Sequence, residues 1–78
     1  MSRQNVTDLM VCKAYAEIRA IKTLLFPYDL LALWTGEPEK VCFRAMERAF
    51  NHGLIEYGVS LRSGWLTEKG LQLLKDNP

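Results

Sequence analysis

What this chain has least of is charge of one sign. Ten Lys and Arg face nine Asp and Glu, leaving a formal net charge of +1 over 78 residues. A module that grips nucleic acid through phosphates ordinarily carries a clear basic excess, so any such contact here has to come from a local face. Cysteine and histidine are nearly absent: Cys12, Cys42 and His52 are all there is. That leaves no zinc-ligand spacing, and neither a metal nor a cofactor is expected. The start, Met1-Ser2-Arg3-Gln4-Asn5, lacks the apolar stretch of a secretory leader. Two distant cysteines in that setting read as reduced, buried thiols of a cytoplasmic protein. Apolar runs are only a few residues long, which excludes a membrane span. Gly58, Gly64 and Gly70 do not open a phosphate-binding turn after a strand. His52 has no Ser, Cys or carboxylate placed beside it by sequence as nucleophile or base. An enzyme with a small-molecule substrate is therefore not expected.

What is present suffices for one small domain. Apolar residues make up 49% of the chain and charged residues 24%, with two Trp, three Tyr and three Phe, an ordinary globular mixture. A domain of this size needs its largest side chains inside, so Trp34, Trp65 and Tyr57 are expected to fill the core rather than form an aromatic surface for single-stranded nucleic acid.

Helical punctuation is plain along the chain. Thr7 is a candidate N-cap, with Asp8 at the positive end of the helix dipole. Val11, Ala14, Tyr15, Ile18 and Ile21 then recur at helical spacing, predicting a helix over 7–22. Residues 23–26 are β-prone and precede Pro27, which favours an extended link or a short strand. Pro27 suits the first turn of a second helix, 28–35, with Leu30, Leu31 and Trp34 inward and Gly36 ending it. Pro38 opens a third. There Cys42, Ala45, Met46 and Ala49 share one face; Lys40, Arg44, Glu47 and Asn51 share the opposite one. Phe43 and Phe50 lie on one flank, Val41 and Arg48 on the other. Gly53 stops this helix. Leu54 to Tyr57 and Trp65-Leu66, separated by a short loop, read as a hairpin. Thr67 caps a last helix in which Leu71 and Leu74 face inward, and Gly70 permits close packing against the sheet.

Two pieces carry a resemblance. Arg48-Ala49-Phe50-Asn51-His52-Gly53-Leu54-Ile55-Glu56 resembles the end of a recognition helix running into a first wing strand. Trp65-Leu66-Thr67-Glu68-Lys69-Gly70-Leu71-Gln72-Leu73-Leu74 resembles a second wing strand entering a final helix. In this order, with so short a gap, they look like the winged helix-turn-helix superfamily, especially the pattern of MarR-like bacterial regulators. The wing is shorter than usual in that family, and neither a sensor domain nor a long dimerisation helix is expected. The overall size also resembles small phage and prophage proteins.

The resemblance implies an α+β, mostly helical fold of about four helices with a short hairpin wing of two or three strands. It implies double-stranded DNA as partner, with transcription regulation as the setting and a homodimer as the assembly. The third helix would enter the major groove through Lys40, Arg44, Arg48 and Asn51, and Arg62 in the wing, with Ser60 and Ser63, would meet phosphates. Three bases and three acids between Glu37 and Asn51 cancel. The alternative is therefore a protein-docking module that uses Phe43, Phe50 and Leu61 as anchors.

Overall fold

The computed structural model describes residues 6–21, 25–58 and 64–77. Within them the chain runs α1 (Asp8–Ile21), α2 (Pro27–Thr35), α3 (Glu39–Asn51), β1 (Ile55–Glu56), β2 (Trp65–Leu66) and α4 (Glu68–Asp76). The molecule is α+β and mostly helical, with four helices and a two-stranded antiparallel hairpin among the described residues. In the hairpin Ile55 pairs with Leu66 and Glu56 with Trp65.

Local chemistry sets the helix ends. The Thr7 hydroxyl accepts from the Met10 amide at 3.2 Å, taking up one of the free amides of α1's first turn. The Asp29 carboxylate accepts from the Phe26 amide at 2.9 Å, and Pro27 occupies the first position of α2. Pro38 caps α3 in extended geometry, so that helix begins one residue later, at Glu39. Gly53 adopts a φ of +78°, a conformation that side-chain-bearing residues avoid. It turns the chain so that the Leu54 amide reaches back to the Ala49 carbonyl at 3.0 Å. The Thr67 hydroxyl works twice, accepting from the Gly70 amide at 3.1 Å and donating to the Gly53 carbonyl at 2.7 Å. One side chain thus caps α4 and ties its start to the end of α3.

Apart from Tyr15, the core is made of small and medium side chains. Val6, Val11, Cys12, Ala14, Tyr15, Leu30, Leu31, Cys42, Ala45, Met46, Ala49, Leu54 and Ile55 are buried. Helix α1 packs against α2, α3, α4 and β2 and is the central element. Trp34, Trp65 and Tyr57, expected inside, are instead 45%, 44% and 40% exposed. The faces that meet are lined by Ala14, Ala45, Ala49, Cys12 and Cys42. Helices drawn together by such small residues leave no space for an indole, and Trp34, Trp65 and Tyr57 lie around the margin.

Helix α4 also departs from expectation. Leu71 is 55% exposed, whereas Leu73 and Leu74 pack on the core. Gly70 sets this phase, because it is the buried residue of α4 and lies against the Leu54 carbonyl. Leu25 and Phe26 form no strand; the rest of the β-prone run lies outside the described residues. Among those residues no helix is long and apolar enough to cross a membrane.

Candidate functional site

Helix α3 presents the clearest polar face. Cys42, Ala45, Met46 and Ala49 are buried beneath it, so the helical period turns Lys40, Arg44, Glu47 and Asn51 outward, and all four are exposed. From Lys40 to Asn51 the face runs roughly 16 Å along the axis at the usual helical rise. Among the described residues, no hydrogen bond or ion pair engages the side chains of Lys40, Arg44 or Asn51. They offer a point cation, a planar fork of donors and an amide that both donates and accepts. Glu47 interrupts the row with an acceptor of opposite charge.

Arg48 is placed differently. It lies on the flank of α3 that meets the first turn of α1, and it is half-buried. Its Nε donates to Asp8 Oδ1 at 2.9 Å, and its Nη2 donates to the Val6 carbonyl. The other Asp8 oxygen meets His52 Nδ1 at 2.8 Å. Burial alone would raise the Asp8 pKa. The hydrogen bonds from Arg48 and His52, with the Arg48 and His52 charges, outweigh burial and hold the carboxyl below its ordinary range. The Lys69 ammonium donates to the His52 carbonyl at 3.0 Å, which brings α4 to the same corner. Of the three α3 bases expected to meet DNA, two face outward and the third ties the end of α3 to the N-terminal segment.

The aromatic flank is partly filled. Phe43 packs on the core. The Phe50 ring is 38% exposed and rests on Tyr57, with centroids 4.9 Å apart and planes tilted by 54°. Leu61 and Arg62, with Ser60 and Ser63, lie outside the described residues. Cys12 and Cys42 are both buried and free. Burial, with a contribution from the Asp8 charge, pushes the Cys12 thiol up to about 11. Burial also raises Cys42. Neither thiol has the character of a nucleophile. No group of His, Cys, Asp and Glu that would hold a metal occurs among the described residues.

The cluster of Asp8, Arg48 and His52 has no local signature, because its partners are 40 and 44 residues apart. In sequence Asp8 reads only as an acid at a helix start. Comparison of the chain with protein-family models, with curated proteins and with solved structures yields no match.

Proposed function

We propose that this chain is a small winged helix-turn-helix DNA-binding protein, with α2 and α3 as the helix-turn-helix and the β1–β2 hairpin as the wing. The observation that carries this reading is the outward row of Lys40, Arg44 and Asn51 on α3, whose side chains have no partner among the described residues. A helix fits the major groove, where an Arg fork suits a guanine edge, an Asn amide suits adenine and a Lys suits phosphate. The wing residue Arg62 adds a phosphate contact on this reading. Two copies would read half-sites about one helical turn apart. The test is binding to random duplex DNA across a salt series. Affinity that falls steeply with salt, at close to 0.9 in log–log slope per phosphate neutralised, supports the reading. Absence of binding at low salt removes it.

A second reading, protein docking without DNA, draws on one observation. Arg48 is committed to Asp8, so Lys40 and Arg44 are left beside Glu37, Glu39 and Glu47, and the segment offers phosphates no net attraction. In that case the half-exposed Phe50–Tyr57 pair would anchor a protein partner, and mutating Phe50 rather than Arg44 would abolish function.

A further inference from the structure

The most apolar concavity lies away from the outward face of α3. It is a groove of about 540 Å³ between α1, the start of α2, β2 and α4, lined by Tyr15, Ile18, Arg19, Pro27, Gly64, Trp65, Leu66 and Leu71. Tyr15 is buried and forms part of its wall, while Trp65 and Leu71 are about half-exposed at its edge. Arg19 is the one charged residue among these, no carboxylate accompanies it, and no ion pair engages it among the described residues. An occupant matched to these walls has an apolar body and one negative group.

The apolar surface extends beyond the groove. Leu25 and Phe26 immediately precede Pro27 and are 44% and 39% exposed. A compact ligand held in the groove would leave them in water, whereas a protein segment would cover them together with Trp65 and Leu71. An apolar groove takes the apolar face of an amphipathic helix, and an exposed Trp with an Arg beside it supplies the residue types that anchor such contacts. We propose that this groove docks an amphipathic helical segment of a partner protein, with an acidic residue beside its apolar stripe to meet Arg19. None of the outward residues of α3 lines the groove, so the partner can sit there while α3 is engaged elsewhere. The proposal stands independently of the DNA reading.

The test is selection of a random library of 16-residue helical peptides against the full chain, with the winners titrated against variants. Leu71→Asp and Arg19→Glu alter exposed side chains, and melting curves verify that both remain folded. Trp65 fluorescence in a Trp34→Phe background reports occupancy of the groove itself. The expected result is enrichment of peptides with Leu or aromatic residues at i, i+3 or i+4 and i+7 and an adjacent Asp or Glu. They should quench Trp65, bind Leu71→Asp at least tenfold more weakly, and give way to basic peptides when Arg19→Glu is the bait. No enrichment, or winners that bind Leu71→Asp as well as the parent chain, overturns the proposal. Saturable binding of decanoate at Trp65 without any peptide enrichment also overturns it, in favour of a small apolar acid.

Discussion

At the scale of single residues, Asp8 shows how one carboxylate can matter in a chain with almost no net charge. It receives Arg48 on one oxygen and His52 on the other, and the amide of an Asn in its place offers one acceptor where the carboxylate offers two. Hydrogen bonds to charged groups contribute about 1.5–3 kcal/mol when buried, and this cluster is partly wet, so Asp8→Asn is expected to cost about 1–2 kcal/mol in urea unfolding at neutral pH. The direction with pH follows from the depressed carboxyl. The folded value lies below the ordinary 3.8, so the stabilisation is complete above that value and is lost as pH falls through the folded value. The parent chain should therefore lose more stability than Asp8→Asn as pH is lowered below about 4; parallel losses in the two proteins would show that the cluster contributes nothing. The thiols give a second prediction. Cys12 and Cys42 are fully buried and both are raised by burial, so an aromatic disulfide reagent should fail to label them in the native protein at neutral pH and label both in urea. Labelling of either at the unfolded rate would contradict the packing of α1 on α3.

Among the elements, α4 is the sharpest case because a local preference and a tertiary contact oppose each other. In an isolated helix Gly→Ala is worth about 1 kcal/mol of stabilisation. At position 70 the added methyl would run into the Leu54 carbonyl and crowd Leu66, and that oxygen already accepts from the Thr67 amide at 3.0 Å. Overpacking against backbone costs about 1–3 kcal/mol and outweighs the propensity gain. Gly70→Ala should lower the urea midpoint with an unchanged slope, and a rise in the midpoint would mean that α4 is not seated against the Leu54 carbonyl. The same contact accounts for what could and could not be read in advance. Helix positions and most helix ends were legible, because Thr7, Pro27, Gly36, Gly53 and Thr67 act through bonds to near neighbours. The inward face of α3 was legible too, since four apolar residues at helical spacing define it. The phase of α4 was not, because Leu71, Leu73 and Leu74 are equally apolar and the choice among them is made by the Leu54 carbonyl, from the turn between α3 and β1. The exposure of Trp34 and Trp65 was hidden for a related reason: how closely α1 approaches its neighbours depends on Ala and Cys residues spread over two helices. On the candidate site, helical period alone brought Lys40, Arg44 and Asn51 onto one outward face, whereas the diversion of Arg48 required knowing that α1 starts beside the end of α3.

Over the whole molecule, the balance of charge turns the placement of Arg44 and Arg48 into a test of function. Both lie on α3, four residues apart, and composition treats them alike. In the fold Arg44 is exposed with no partner among the described residues, while Arg48 joins Asp8 and the Val6 carbonyl. If α3 meets DNA through its outward face, the two alanine substitutions should have opposite consequences. Arg44→Ala removes one phosphate or base contact, so affinity for duplex falls and, if the contact is to phosphate, the salt slope drops by about 1. Its melting temperature should hardly move, as for most surface substitutions. Arg48→Ala leaves Asp8 with His52 alone and frees the Val6 carbonyl, at a cost of about 1–2 kcal/mol, or roughly 5–10 °C in a domain of this size. At a temperature where it remains folded, its salt slope should match the parent. Calorimetry and a fluorescence anisotropy salt series on the two variants separate these effects. A salt slope that falls in Arg48→Ala and stays unchanged in Arg44→Ala would move the binding surface from the outward row to the α1-facing flank, and equal behaviour of the two would show that neither face of α3 distinguishes itself toward DNA.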